Sequence, residues 1–453
     1  MKISIIGTGY VGLVTGVCLS MRGHHVTCYD NDKNVVESLN KCKPTFYENG
    51  LKNNLSTVMT NNGFQTKIIS NSTNFDSEII MVTVGTPFLN GKIDLTFIKE
   101  VAKTIGIYLR SVTQFVSVVI KSTVVPGTTD TVIRKIIEKY SGKKIGEFGL
   151  GMNPEFLREG NAFEDALEPD RIVLGYEDYE TLKLLRKLYE SWETEKIEVN
   201  TRTAEMIKYA NNSLLATQIS AVNEIANITQ EIGDIDVMDV MRGVFSDKRW
   251  SPIHQDGSRI YPDILKYLIP GCGFGGSCFP KDLMAFKVLA EELGINPKML
   301  NSILEINERQ PYQIVRLLKK ILPILEDAKI LILGLAFKPD TDDIRNSVSI
   351  EVIRYLLNEN AILYAHDPQA IANMQSFLKP QKNLNYVTAW QEILKQIDVI
   401  IVLTEWIEYK KIAKNPLIQL MDKKIIFDAR RLFNAKEFPR SKYLTIGRSI
   451  NST

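Results

Sequence analysis

The sequence predicts an α/β protein, two Rossmann-like doubly wound domains joined by a long central helix. Three observations carry this. Lys2-Ile-Ser-Ile-Ile6, a short β-branched run, closes on Gly7-Thr-Gly-Tyr-Val-Gly12 and opens an apolar helical stretch through Leu19. From Lys329 a second apolar strand starts a new alternation of strands and helices. Between the two, residues 202–232 keep a helical period without proline until Gly233. The expected domains are residues 1–200, 201–320 and 321–453.

The first domain reads as a nucleotide fold. Gly7 permits a sharp turn, Gly9 lets the backbone reach a pyrophosphate, and Gly12 allows close helix packing, with a helix N-terminus facing the anion. A second strand, His25 to Tyr29, ends at Asp30, whose carboxylate accepts ribose hydroxyls and repels a 2′-phosphate, so NAD is expected rather than NADP. Lys33 follows, a ribose or pyrophosphate partner or simply a solvated charge. Further strands are expected over Ile79 to Val84 and Phe115 to Ile120, with Thr86 and Thr123 beyond their carboxyl ends, where such sheets meet ligands. Pro126-Gly127-Thr128 starts another helix.

After a strand at Gly149 to Met152 comes Asn153-Pro-Glu-Phe-Leu-Arg-Glu159-Gly. Glu155 and Glu159 are four apart and share a face on a helical turn, as a general base and its partner could. A capped, solvated turn is the plainer reading. Pro169 to Gly175 returns the chain to a strand, and the domain closes near Val199.

The central helix would run about 45 Å at 1.5 Å per residue, with Lys208 and Asn212 on one face. Helical patterns continue through Glu308, broken at Asn296-Pro297. Within them, Gly273 to Asp282 reads GFGGSCFPKD. Its small residues Gly273, Gly275, Gly276 and Ser277 allow a tight turn and close ligand approach before Cys278. Lys281 and Asp282 set two charges beside the thiol, a setting that raises nucleophilicity; a buried, inert cysteine in a glycine turn is the alternative.

The third domain repeats the α/β pattern in strands at Lys329 to Gly334, Ala361 to Ala365, Val399 to Leu403 and Lys424 to Phe427, with a helix ending near Leu357. Asp367, Glu405 and Asp428 stand at or just past carboxyl ends. Its first turn lacks GxGxxG and offers Lys338 and Arg345, so a different nucleotide is expected. Arg430 and Arg431 are phosphate or ribose candidates.

Composition narrows the function. A net charge of +2 without a block of basic residues argues against nucleic acid. Five cysteines, an odd number without paired spacing, argue against a disulfide framework or a zinc site. No apolar run reaches membrane-spanning length, and Met1 to Gly7 lacks the marks of a secretory signal, so a cytoplasmic location and no membrane partner are expected.

GTGYVG, KSTVVPGT, NPEFLREG, PDRIVLG, the Lys208/Asn212 helix, GFGGSCFPKD and AFKPDTDDIRNS occur in an order that, over essentially the whole chain, resembles the UDP-glucose/GDP-mannose dehydrogenase family. The resemblance implies two successive NAD-dependent oxidations at C6 of the sugar in UDP-glucose, giving UDP-glucuronate; PDRIVLG favours UDP-glucose over GDP-mannose. It implies Cys278 as nucleophile, Lys208 and Asp282 with a water at the C6 oxygen, Lys208 and Asn212 at the oxyanion, and Glu155 or Glu159, with Thr123, at hydrolysis. For the cofactor it implies Gly7, Gly9, Tyr10, Val11, Gly12, Asp30, Lys33, Thr86, Thr123, Glu159, Lys281 and Arg345. For the sugar nucleotide it implies Glu155, Phe156, Leu157, Lys208, Asn212, Tyr267, Leu268, Ile269, Pro270, Gly271, Gly275, Phe337, Lys338 and Arg430. Arg259 falls near the arginine that the family supplies from a neighbouring subunit, but the interval to Cys278 is about three residues longer than the family pattern, and Cys272 takes an ordinarily aliphatic place. A homodimer through the central helix is also implied. A sugar-nucleotide-binding protein without turnover is the reading from another class, and intact Cys278, Lys208 and Asp282 speak against it.

Overall fold

The computed structural model describes residues 1–416, 418 and 424–448; residues 449–453, the end of the third expected domain, lie outside them. Two compact units result, Met1–Asn211 with Met284–Leu293, and Asn212–Leu283 with Gly294–Thr453. In chain order the strands are β1 Lys2–Ile6, β2 His25–Asp30, β3 Phe64–Ile68, β4 Ile79–Val82, β5 Phe88–Leu89, β6 Lys92–Ile93, β7 Ser117–Ile120, β8 Gly149–Met152, β9 Arg171–Tyr176, β10 Glu195–Val199, β11 Lys329–Leu333, β12 Ile362–His366, β13 Leu384–Tyr386, β14 Val399–Val402, β15 Ile425–Asp428 and β16 Lys442–Thr445.

The first unit holds an eight-stranded sheet, β10-β9-β8-β7-β4-β1-β2-β3. All neighbours are parallel except β8 and β9. The second unit holds a fully parallel six-stranded sheet, β13-β12-β11-β14-β15-β16. Leaving aside the β5–β6 hairpin and the added β9 and β10, both follow one doubly wound order, reversing direction beside the first strand. Central strands such as β4 (IIMV) and β14 (VIIV) are buried at every position, as strands covered on both faces must be.

Both reversal points use the same turn. Gly7 (φ 99°) donates its N–H to Tyr29 O at 2.8 Å, and Asp30 Oδ2 accepts from Thr8 N at 2.8 Å and Thr8 Oγ1 at 2.6 Å. Gly334 (φ 103°) donates to His366 O at 2.9 Å, and Asp367 Oδ2 accepts from Leu335 N at 2.7 Å and Ala336 N at 3.0 Å. Only glycine adopts these φ values cheaply. A Cβ on Gly334 would also stand 2.4 Å from Thr404 backbone and side-chain atoms.

Four expected strands are shorter than predicted, those from Lys329 and Val399 by one residue, since β11 stops at Leu333 and β14 at Val402. The strand expected to reach Val84 stops at Val82 because Thr83 leaves the sheet to close the glycine turn, its Oγ1 donating to Gly7 O at 2.7 Å. The strand expected from Phe115 begins at Ser117.

The long helix spans Thr201–Ile232, its residues to Asn211 in the first unit and the rest in the second. Glu205 in its first turns is fully buried and accepts from Gly127 N at 2.5 Å and Thr129 N at 2.9 Å, tying the loop after β7 to the helix. Arg202 pairs with Asp130 beside it at 2.6 Å. Burial pushes the Glu205 carboxyl up to about 7, against the two N–H groups that favour its charged form.

Two outcomes follow. Gly334→Ala should lower the free energy of unfolding by about 3 kcal/mol, from overpacking plus a forbidden φ, whereas Gly9→Ala, with nothing within 4 Å of its Cβ, should leave the denaturation midpoint in place. Because the folded-state pKa of Glu205 is raised, its contribution to stability is present at acid pH and lost as pH rises through about 7. Denaturant unfolding between pH 5 and 8 should therefore show a decline in stability that Glu205→Gln flattens.

Candidate active site

The first unit presents an anion cradle. The helix Tyr10–Met21 starts at Gly9 without a side-chain cap, leaving first-turn N–H groups, Val11 among them, for a ligand. A Cβ at Gly12 would lie 1.9 Å from Gly7 O, so this turn exists only with glycine there, while the space before Gly9 is open. These residues fit a dinucleotide's pyrophosphate, and Asp30, ordered by Thr8 and by Asp32 N at 3.0 Å, stands at the ribose position of such folds. Thr86 Oγ1 donates to Thr123 O at 2.6 Å, bringing those two predicted residues together. Lys33 is exposed and lies 3.6 Å from Glu37.

Tyr10 does not point to open space. Its hydroxyl bonds Glu48 and receives Gly160 N at 3.1 Å, while Glu48 accepts from Gly160 N at 2.7 Å and Ala162 N at 2.8 Å. Burial, then Glu48, pushes this phenol far up, and Glu159 lies near enough to add to the push. Glu48 escaped the sequence reading because a lone acid in a loop carries no spacing signal.

Glu155 and Glu159 do not share a helical turn. Residues 153–158 are irregular: Asn153 is tied into the core, and the N–H groups of Leu157 and Arg158 go to the side chains of Glu155 and Asp165 rather than to helical carbonyls. Asn153 Nδ2 donates to Val173 O at 2.9 Å, and its Oδ1 accepts from Lys121 Nζ at 2.9 Å and Tyr189 OH at 2.5 Å. The chain then carries Glu155 inward to Lys208 and leaves Glu159 half-buried.

Lys208 is buried rather than solvated. Its Nζ donates to Glu155 Oε1 at 2.8 Å and to Glu155 O at 2.7 Å, while Leu157 N donates to Glu155 Oε2 at 2.7 Å. Burial alone would raise the Glu155 carboxyl, but the Lys208 ammonium, with help from Lys121, holds it below the usual carboxylate range. The Phe156 ring lies 3.9 Å from the Arg171 guanidinium carbon and 5.5 Å from Lys208 Nζ.

In the second unit, Cys278 is half-buried immediately before the helix Phe279–Glu292, with Ser277 Oγ at 3.6 Å from its sulfur. One turn on, Asp282 N donates to Cys278 O at 2.9 Å. The Asp282 carboxylate, 1 % exposed, accepts from Asn212 Nδ2 at 2.7 Å and Lys281 Nζ at 2.6 Å. Asn212, Lys281 and Asp282 thus form one connected group a turn from the thiol.

The glycine loop is fastened by polar side chains from the helices around it. Asn223 Oδ1 accepts from Gly271 N at 2.9 Å, Gln310 Nε2 donates to Gly271 O at 2.9 Å, and Asn307 bonds both Phe274 N and Phe274 O. A Cβ on Gly275 would meet Asn346 O at 2.2 Å, and one on Gly276 the Phe337 ring at 2.7 Å. Cys272 is fully buried, its thiol pushed up by burial, and so takes the aliphatic place as a core residue.

Tyr267 and Leu268 end a short 3₁₀ turn, Asp263–Leu268; Ile269 is exposed and Pro270 buried ahead of Gly271. Arg430 donates to Leu403 O at 2.8 Å, Phe337 O at 3.3 Å and Gly273 O at 3.4 Å, and Lys338 Nζ lies 5.6 Å from the Phe337 ring. Arg345 pairs with Asp343, while its carbonyl accepts from Gly276 N at 2.9 Å. Arg431 bonds Asp236 and Ile446 O instead, which separates it from Arg430 and its neighbours. Arg259 closes its own loop on Ser246 O and Ser251 O, each at 2.9 Å. Among the described residues no helix is long and apolar enough to cross a membrane, and no group of three His, Cys, Asp or Glu could hold a metal.

Comparison with known proteins agrees with this anatomy. Residues 1–193 match the NAD binding domain of the UDP-glucose/GDP-mannose dehydrogenase family, residues 202–309 its central domain and residues 331–435 its UDP binding domain. A UDP-glucose 6-dehydrogenase of Rickettsia prowazekii is 36 % identical, over 99 % of this chain and 100 % of the relative. The structure of a UDP-glucose dehydrogenase from Pyrobaculum islandicum aligns with a TM-score of 0.88 at 34 % identity, covering 99 % of this chain and 98 % of the other. A GDP-mannose dehydrogenase from Pseudomonas aeruginosa aligns with a TM-score of 0.54 at 29 % identity, covering 99 % of this chain and all of the other. With a glycine cradle for a dinucleotide, a second nucleotide fold and a cysteine loop between them in sequence, the chain belongs to the UDP-glucose/GDP-mannose dehydrogenase family and is an NAD-dependent oxidoreductase.

Proposed function

We propose that this chain oxidises the C6 alcohol of UDP-glucose to the carboxylate, giving UDP-glucuronate, with Cys278 holding the half-oxidised sugar. The observation that supports it best is a half-buried cysteine at a helix start, in a glycine loop too tight for other residues, one turn from the Asn212, Asp282 and Lys281 group. Two NAD⁺ supply the hydride acceptors, one for each oxidation.

In the first half-reaction Asp282, through a water, takes the hydroxyl proton of C6, while the Lys208 ammonium donates to the C6 oxygen. The Cys278 thiolate then adds to the aldehyde carbon, and the thiohemiacetal so formed loses the second hydride to leave a thioester. Lys208 and Asn212 offer donors to the oxyanion, each worth a few kcal/mol. Water breaks the C–S bond, returning the thiolate and releasing the acid. Glu155, held in its charged form, takes the water's proton, with Thr123 assigned to help position that water; Glu159 serves the cofactor side instead.

The sugar nucleotide is read by residues 267–271, Gly275 and Phe156 with Leu157, its diphosphate by Lys338 and Arg430, and its base by Phe337. Lys281 and Arg345 serve the cofactor. Functional domains are assigned to 1–200, 201–320 and 321–453. Exposed Leu214, Ile225, Ile228 and Ile232 on the long helix suit a homodimer seam, and Arg259 would reach a partner only by giving up Ser246 O and Ser251 O. None of the five cysteines is in a disulfide, which suits a reducing cytoplasm.

Incubation with UDP-glucose and NAD⁺ should yield two NADH per sugar and no free aldehyde; one NADH with released aldehyde excludes the thioester, turnover only with GDP-mannose reassigns the substrate, and binding without NADH points to a sensor. Cys278→Ser should cut overall turnover on the order of a thousand-fold, with intact mass showing no sugar adduct. Glu155→Gln should accumulate the acyl-enzyme, whereas Glu159→Gln should raise the KM for NAD⁺ without trapping it.

A further inference from the structure

The pair of Glu155 and Lys208 is backed by a third buried charge that the mechanism above leaves unused. Lys121, just beyond the carboxyl end of β7, is 7 % exposed, and among the described residues its ammonium donates to Asn153 Oδ1 at 2.9 Å and Asn153 O at 3.5 Å. Both acceptors are neutral. Asn153 cannot turn its amide over, because Nδ2 is committed to Val173 O and Oδ1 also takes the Tyr189 hydroxyl.

Three charges, two positive and one negative, therefore share a dry interior, and an ammonium on neutral partners is costly there. A methionine would fill the same volume without that cost, so the charge calls for a role outside packing. The groups facing Lys121 are Glu155, Lys208 and the Cys18 thiol from the helix Tyr10–Met21. Burial pushes that thiol up to about 12, so it is neutral. Facing Glu155 are Lys208, Lys121 and the Leu157 N–H.

Resting on the reading of Glu155 as the hydrolytic base, we propose that Lys121 is a positioning residue, the standing cation that keeps this carboxylate ionised when Lys208 turns from it to the substrate oxyanion. Without a second cation, a buried carboxylate deserted by its ion-pair partner would take a proton and fail as a base. Lys121 remains charged over the range where Glu155 titrates, since burial lowers its own pKa only to about 8. Through Asn153, two residues before Glu155, it also anchors the backbone that aims the base.

The test is the pH profile of kcat with UDP-glucose and NAD⁺ for Lys121→Met, and for Lys121→Gln, which keeps a donor for Asn153 Oδ1 while removing the charge. Loss of a nearby positive charge destabilises the ionised carboxylate, so in both variants the acid limb should move to higher pH by about one unit, with kcat recovering well above the limb and both KM values within about two-fold of the wild type. An acid limb that stays in place in either folded variant overturns the proposal. If Lys121→Met does not fold, Lys121→Gln alone decides: a shifted limb supports the role, and a normal one makes Lys121 a packing residue. Wild type that turns over only another nucleotide sugar refutes the substrate and not this role, because the same profile is then run on that sugar.

Discussion

Everything in both sheets hangs on one turn, a glycine near φ +100° followed by backbone N–H groups gathered onto the carboxylate that ends the second strand. At Gly7 this carboxylate is Asp30, at Gly334 it is Asp367. The turn lies where the strand order reverses, so the neighbouring strand departs to the other side and opens a crevice. What differs is the continuation. In the first unit the helix starts at once and leaves its first-turn N–H groups for an anion; in the second the helix waits until Val348, and the intervening loop carries Lys338, Arg345 and Asn346. One device, repeated, therefore yields two nucleotide folds of different chemistry.

The site itself is built from charges placed where water is scarce. Isolated, each would be neutralised by its surroundings, and the cost is offset only by mutual pairing. Glu155 with Lys208 and Asp282 with Asn212 and Lys281 are two such arrangements, each formed within a single unit. Such pairing sets the resting position of each group before substrate arrives, as electrostatic preorganisation requires.

Two cysteines six positions apart show how strongly surroundings decide a side chain's chemistry. Cys272 is sealed in the core beside Leu403 O, while Cys278 is half-buried at a helix start. The same loop supplies both, its path fixed by Asn223, Asn307 and Gln310 from the helices around it. Nothing about either thiol alone separates one sealed in the core from one left half-buried at a helix start.

Local rules made the strands, the glycine turn, the acid closing β2, the long helix and the cysteine motif legible from residue order, because each is a pattern of neighbours that backbone sterics and periodicity constrain directly. Partnerships across long separations were not: Lys121 on Asn153, Glu48 on Tyr10, and Asn223, Asn307 and Gln310 on the glycine loop read as ordinary polar positions, since their meaning arises only when distant elements pack. The four-residue spacing of Glu155 and Glu159 misled for a related reason, as it presumes a helix whose backbone N–H groups the side chains of Glu155 and Asp165 take instead. Sequence thus determined which chemical groups the chain carries and the turns that bear them; tertiary structure decided which of those groups are buried together, because burial and pairing, unlike turn geometry, depend on residues far apart in the chain.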